Sequence, residues 1–494
     1  MSDRERRDYD VIVIGAGTAG ITAAREIVRG GKSVALVERN RTGGECLYTG
    51  CVPSKTLLAT ARQLHQIRNA RDMAIDAQPP RLDFARLKQR KDAAIAAAGV
   101  NDSPEALERS GIAVIKGSAR FLGPATVSID GAAYTAAQFV VATGSAPSVP
   151  AIPGLQDSRF LTHESILDID DIPRRLAIVG AGPTGLELGQ AFARFGSRVV
   201  VIEQAASILP DVDQDVSRLL HDQLVSEGME ILVSASIDQV ELNSRGKQLS
   251  MMLSGHTRHE VHVDDVLVAT GRVANSQDLS LERAGIATRR SWVVVDRQLR
   301  TTAGHIWACG DVVGPPYLTH VADDQARTVA RNILAGKESW SDKAIPWSIF
   351  TDPEISGVGR SEHDARIRYG EALEVLQLPY HEIDRAVTDG VETGMIKVML
   401  APGLNMGVLG GEVVGAQVVG AHAGELVQQL AFKMRWNLPM GLFARTVQRY
   451  PTYSLGVRQA IGKHWLAPEV EWARQSTAAR LKGWLGDKLT GRDA

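Results

Sequence analysis

Cysteine is scarce, with three residues in 494, which excludes a disulfide-stapled scaffold and makes any close pair catalytic or metal-binding rather than structural. Cys46 and Cys51 form such a pair. Long apolar runs are missing too: the longest are of strand length, as at Val34 to Val37, and the opening MSDRERRDYD is charged. Neither a spanning helix nor a secretory leader is expected, and the chain reads as cytoplasmic. Charge of one sign is not in excess either, since 55 Lys+Arg stand against 57 Asp+Glu. Nucleic acid and anionic lipid are therefore not expected partners. What remains is an ordinary globular composition, 44% hydrophobic and 23% charged, over a length suited to roughly two to four domains.

The chain repeats itself once. Asp10 to Glu38 (DVIVIGAGTAGITAAREIVRGGKSVALVE) returns as Leu176 to Glu203 (LAIVGAGPTGLELGQAFARFGSRVVVIE). Each copy predicts a buried strand, a GxGxxG turn, a helix, and a second strand ending in Glu. A lone GxGxxG says little, but this whole βαβ unit is what dinucleotide binding needs. Gly15, Gly17 and Gly20, like Gly180, Gly182 and Gly185, allow a tight turn and close approach to a pyrophosphate at a helix N-terminus. Glu38 and Glu203 are placed to accept hydrogen bonds from a ribose diol. A second repeated feature is FVVATG, ending in Thr143 and Gly144, and VLVATG, ending in Gly271. IWACGDVV then carries Gly310 and Asp311, where an acidic residue at a Gly turn suits a ribityl or ribose hydroxyl. From Ile345 the pattern changes to short β-rich runs, with strands around Met395 to Leu400 and Val413 to Val419 and a helix from Ala423 to Trp436.

The segment GGECLYTGCVPSKTLL (Gly43 to Leu58) is the most specific in the chain. It sets two cysteines in a Gly-rich turn opening onto a helix, where the helix dipole stabilises a thiolate and favours thiol–disulfide exchange. Two small buried residues or half a zinc site are the alternatives. Zinc needs further ligands, and the remaining cysteine, Cys309, sits against the Gly310–Asp311 turn, where it is expected to pack as a small hydrophobe. No metal site is expected.

On these residues the chain resembles the class I pyridine nucleotide-disulfide oxidoreductases, the family of lipoamide dehydrogenase, glutathione reductase and mercuric reductase, over about residues 8 to 460. The family motif GGxCxxxGCxPSK is met by Gly43, Gly44, Cys46, Gly50, Cys51, Pro53, Ser54 and Lys55, and the order of the remaining motifs agrees. The resemblance implies an α/β fold with two Rossmann-like nucleotide-binding domains, for FAD and NAD, and a C-terminal α+β dimerisation domain. The expected division is FAD-binding 1–155, NAD(P)H-binding 156–275, a second FAD-binding part 276–344, interface 345–465 and a helical tail 466–494. It implies Cys46 as interchange thiol, Cys51 as charge-transfer thiol beside the flavin, and Lys55 near flavin N5 paired with Glu187. Without the resemblance, those last two read as a solvated Lys and a helix-surface Glu. His320 is placed near the flavin, more through its backbone than its ring. Electrons would run from NADH to FAD to the disulfide to substrate. NADH is favoured over NADPH because Gln204, Ala205, Ala206 and Ser207 after Glu203 offer no cation for a 2′-phosphate.

The sequence departs from the family where disulfide reductases carry HxHPTxxE. Here the residues are Gln448 to Leu455, so Tyr450 stands in place of the base and Leu455 in place of its orienting Glu. A phenol with a pKa of about 10 is a poor base at neutral pH. Mercuric reductases also carry Tyr there, where it serves the metal site, and IPWSIFTDPEISGVG and DRA (Asp384 to Ala386) point the same way. Yet no cysteine follows Cys309, whereas mercuric reductases end in a vicinal Cys pair. The expectation is a homodimeric, FAD-dependent NAD(P)H oxidoreductase passing electrons through Cys46–Cys51 to a disulfide or thiol-bound metal ion. The alternatives are a dihydrolipoyl dehydrogenase, an NADH:quinone diaphorase, and a redox-sensing partner module. The tail, with Trp472, Leu481, Trp484, Leu485 and Leu489, is expected to dock on its own domain rather than on a membrane partner.

Overall fold

The structure, a computed structural model, describes residues 7–402, 411–438 and 440–462. The tail 466–494 lies outside them. By their contacts the described residues form two units: those within 7–70, 76–208 and 227–342, and those within 71–75, 209–226 and 343–462.

The first unit is built on the repeat. Its larger sheet has seven strands, ordered Ile112–Lys116, Val34–Glu38, Tyr9–Ile14, Ala132–Val141, Thr126–Ile129 and Ala119–Gly123, with Ile306–Ala308 alongside Ala132–Val141. The strands Val34–Glu38, Tyr9–Ile14, Ala132–Val141 and Ile306–Ala308 are joined in parallel, with Ile12 aligned to both Ala35 and Phe139. Continuous β-branched runs suit such strands because both faces are covered. Helix Thr18–Arg29 packs against helix Thr319–Leu334, and the two bury Ala24, Ile27, Ala326 and Val329 in one apolar cluster with Cys309. The second copy gives a parallel sheet ordered Glu230–Leu232, Arg198–Ile202, Arg175–Val179 and Asp265–Val268. An antiparallel meander, Ala235–Asn243, Gly246–Leu253 and Thr257–Val263, follows. Helix Cys51–Arg68, which starts at the second cysteine, packs against helix Pro183–Phe195 of the second copy. That packing brings together residues far apart in sequence.

The second unit is an antiparallel sheet ordered Pro346–Ile349, Ile355–Gly359, Glu412–Val419, Met395–Ala401 and Glu374–Pro379. Helix Ala423–Arg435 covers it, and a helix over 453–462 adds Tyr453, Val457 and Ile461 to its core. Helix Gln214–Ser226 also belongs here, although chain order sets it among the nucleotide strands. The tie is electrostatic: Lys397, 1% exposed on its core strand, contacts Asp213 at 3.1 Å, Asp215 at 2.8 Å and Glu362 at 2.5 Å. Among the described residues no helix is long and apolar enough to cross a membrane.

Candidate active site

Many of the residues singled out from sequence line one cavity of about 750 Å³ in the first unit, among them Gly15, Gly17, Glu38, Gly44, Cys46, Gly50, Cys51, Thr143, Gly144, Cys309, Gly310 and Asp311. Gly20 lies beneath it in the helix that Gly17 opens. A Cβ on Gly20 would stand 1.8 Å from the Gly15 carbonyl oxygen, and one on Gly185 would stand 2.2 Å from that of Gly180. These third glycines are therefore needed for the chain's own packing.

The middle glycines are not. Gly17 and Gly182 have φ of −81° and −78°, open to any residue, and a Cβ on Gly182 would meet nothing within 4 Å, one on Gly17 only the Gly44 Cα at 3.8 Å. The space each keeps clear lies at the start of a helix with no side-chain cap and no acidic residue in its first turn. Unsatisfied helix N–H groups facing a cleared space form a seat for a pyrophosphate, so both sites fit a dinucleotide. The two carboxylates after them are fixed alike. Glu38 accepts from the backbone N–H of Ala16 and of Asn40, each at 2.8 Å, and Glu203 accepts from Ala181 at 2.7 Å and Ala205 at 2.8 Å. Each is held at its strand end in position for a ribose diol. Around the turns, Thr143 donates to the Asn275 carbonyl at 2.7 Å, and the Gly271 carbonyl accepts from Ser148 at 2.9 Å.

The cysteines are both free thiols at the junction of two short-spaced helices, Gly44–Tyr48 and Cys51–Arg68. Their sulfurs hydrogen-bond to each other, and the effect on the two is opposite. The bond from Cys46, supported by Thr319 and the charge of Lys55, lowers Cys51 to about 6 against burial and the charge of Glu187. Donating that bond, and burial, drive Cys46 upward. Between them the pair holds one proton near neutrality, with the thiolate on Cys51. Lys55 Nζ lies 2.8 Å from Glu187 Oε2, and Glu187 is 6% exposed, so the ion pair is formed across the two packed helices.

Several wall residues were not legible in the sequence. Thr319 Oγ1 sits 3.4 Å from Cys51 Sγ, and it lines the cavity with Tyr317 while His320 is exposed. Asp311, pushed upward by burial, accepts from Ser145 Oγ at 2.8 Å. Arg272 Nε donates to Ser145 Oγ at 2.7 Å, and its Nη2 donates to Glu45 Oε2. Cys309 is fully buried, its thiol pushed up to about 12 by burial alone.

Tyr450 belongs to the second unit and is 67% exposed. Its hydroxyl hydrogen-bonds to Asp384, which raises its pKa further above 10. Tyr453 nearby donates to Asp389 at 2.9 Å and packs against His422 with ring centroids 4.9 Å apart and the planes tilted by 54°.

The family model described as pyridine nucleotide-disulphide oxidoreductase matches residues 9–326, and that of the family's dimerisation domain matches 345–461. A mercuric reductase of Bacillus cereus is 31% identical over 463 residues, covering 93% of this chain and 72% of that protein. A dihydrolipoyl dehydrogenase of Thermus scotoductus is 33% identical over 462 residues, covering 92% of this chain and 97% of that protein. Among solved structures, the HOCl-induced flavoprotein disulfide reductase RclA of Escherichia coli superposes with a TM-score of 0.81 at 29% identity, over 92% of this chain and 99% of that one. Its Cu(II) complex superposes with a TM-score of 0.80 at 29% identity, over 92% and 98%.

Proposed function

The chain belongs to the pyridine nucleotide-disulphide oxidoreductases, enzymes that use FAD and NAD(P)H, and within that family we propose that it is a homodimeric, NADH-preferring reductase of thiol-bound metal ions, on the mercuric-reductase-like side. Bound FAD and NADH supply hydride and two-electron transfer. The chain's own residues do the rest. Gly17 and Gly182 clear the pyrophosphate seats, Glu38 and Glu203 take the ribose hydroxyls, and Asp311 takes a further hydroxyl. The Lys55–Glu187 pair sets a fixed charge beside the redox pair. Cys51 holds the thiolate, and Cys46 holds the proton until exchange begins.

With a disulfide substrate, the Cys46 thiolate forms a new S–S bond and breaks the substrate's, and the leaving thiolate must take a proton. Cys51 then attacks the Cys46 sulfur, releases the second thiol and restores the Cys46–Cys51 disulfide. With a thiol-bound metal ion the two cysteine sulfurs replace the ion's own thiolate ligands, the proton held by Cys46 goes to a thiolate that leaves, and the electrons that reduce the ion would come from NADH through the bound flavin.

The observation that carries the metal-side reading is that Tyr450, 67% exposed and with Asp384 pushing its pKa upward, stands where the disulfide reductases hold an imidazole. In the proposed dimer Tyr450 serves the cysteine pair of the other chain, in place of an imidazole held by a carboxylate. A phenol whose pKa is raised by a neighbouring carboxylate gives up its proton less readily than a free one, so near neutrality it does not carry the proton that a disulfide's leaving thiolate needs. The Cu(II)-bound relative agrees with a metal acceptor. A second reading, dihydrolipoyl dehydrogenase, is favoured by the relative from Thermus scotoductus, which matches over nearly its full length. Steady-state NADH oxidation against Hg(II), Cu(II), lipoamide, glutathione disulfide and a quinone separates them. Metal-dependent turnover lost in Cys46→Ser supports the proposal. Lipoamide turnover as fast as flavin reduction sinks it, and quinone turnover that survives Cys46→Ser indicates a diaphorase.

A further inference from the structure

Glu45 fills the variable position of the GGxC motif, between Gly44 and Cys46, and both its oxygens are engaged. His163 Nε2 is 2.7 Å from Oε1, and Arg272 Nη2 donates to Oε2. Arg272 thus stands between two carboxylates that both line the dinucleotide cavity, Glu45 and Asp311. Its approach to the second is incomplete. Nε is 3.5 Å from Asp311 Oδ2, and its N–H is given instead to Ser145 Oγ at 2.7 Å. Ser145 in turn donates to Asp311 Oδ2 at 2.8 Å. Asp311 Oδ1 carries no hydrogen bond among the described residues.

We propose that Glu45 is a positioning residue of the FAD site: it holds Arg272 off Asp311, so that Asp311 keeps one carboxylate oxygen for a hydroxyl of FAD. The inference rests on the reading of Asp311 as a hydroxyl acceptor. The physical basis is competition. A guanidinium prefers a forked, two-bond pairing with a carboxylate, and here two carboxylates share one guanidinium. Glu45 wins because His163 fixes it from the other side. Without its charge, Asp311 becomes the nearest anion, and a forked pair with Arg272 would occupy both of its oxygens. Glu45, His163 and Glu164 also bring three ligand atoms within 4.8 Å of one another, but Arg272 already supplies the cation that Glu45 faces.

The test is FAD affinity, read from flavin fluorescence on titrating the FAD-stripped full chain, in a cycle of Glu45→Gln, Asp311→Asn and the double variant. Asp311→Asn alone should weaken binding, which checks the reading of Asp311. Glu45→Gln should weaken it by about tenfold, the effect of losing a hydrogen bond to a charged group. In the Asp311→Asn background the Glu45→Gln change should have little effect, about twofold at most by the same scale, because Arg272 then has no carboxylate to close on. Glu45→Gln/Arg272→Gln should bind FAD more tightly than Glu45→Gln. If Glu45→Gln binds FAD as tightly as the natural protein or more so, the inference is overturned while the reading of Asp311 stands. Equal weakening in both backgrounds also overturns it. If Asp311→Asn has no effect, both fall. Glu45→Asp, which keeps the charge on a shorter arm, covers a Glu45→Gln chain that fails to fold and should show a smaller loss; affinity unchanged or raised in Glu45→Asp would count against the proposal.

Discussion

Replacing Thr319 with Val tests the charge arrangement at the cysteine pair with the least disturbance, since the two side chains have nearly the same shape. The structure puts the Cys51 thiolate at a pKa of about 6, held there first by the hydrogen bond from Cys46, then by Thr319 and the charge of Lys55. A hydrogen bond to a charged group is worth about 1.5 to 3 kcal/mol. The Thr319 contact, at 3.4 Å between oxygen and sulfur, belongs at the low end, which is about one pKa unit. Thr319→Val should therefore move the Cys51 titration from about 6 to about 7. The sign is fixed, because a lowered pKa means that the thiolate is present above the shifted value and lost as pH falls through it. At pH 7 the thiolate fraction should drop from about nine-tenths to about half. The assay is anaerobic reduction by two electrons, followed by pH titration of the long-wavelength thiolate-to-flavin absorbance. Cys46→Ala should raise the midpoint more than Thr319→Val, Lys55→Gln should raise it less, and Glu187→Gln should lower it. A band that persists in Cys51→Ser, or a Thr319→Val midpoint unchanged within about 0.3 unit against the expected unit, would refute the reasoning.

Three further outcomes are expected. Equal kcat/KM with NADH and NADPH would show that the fixed Glu203 carboxylate does not discriminate; preference for NADH, shifted toward NADPH in Glu203→Arg, is the expected result. Lipoamide reduction should lag flavin reduction by about 10²- to 10⁴-fold, the usual worth of general acid–base help, and Tyr450→His with Leu455→Glu should recover more of it in single-turnover measurements than either change alone. Lys397→Met should destabilise the protein by about 3 to 5 kcal/mol in denaturant unfolding, since Asp213, Asp215 and Glu362 would lose their shared cation. The Lys397 pKa is raised, despite burial, by Asp215 and Glu362, so this stabilisation is full below the unfolded lysine pKa and is lost as pH rises through the folded one.

What could be read from the sequence follows the reach of the chemistry. The glycine turns and terminal acids were legible because their partners lie within the same repeated βαβ unit: Glu38 is bound by Ala16 and Asn40, and Glu203 by Ala181 and Ala205. The cysteine pair was legible because its two members are close in sequence. The Lys55–Glu187 ion pair was not local and came only through the resemblance, because it depends on helix Cys51–Arg68 packing against helix Pro183–Phe195. Thr319 was missed by one position. Attention fell on His320, yet successive residues on a helix point about 100° apart, and the phase of helix Thr319–Leu334 turns Thr319 to the cavity and His320 to solvent. The grouping of helix Gln214–Ser226 with the interface sheet was hidden likewise, because the charge of Lys397 that ties it down comes from a strand far along the chain. The same limit bears on the acceptor. Tyr450 is visible in the sequence, but its hydrogen bond to Asp384 is not, and it is that bond which turns a missing base into a phenol still less able to act as one.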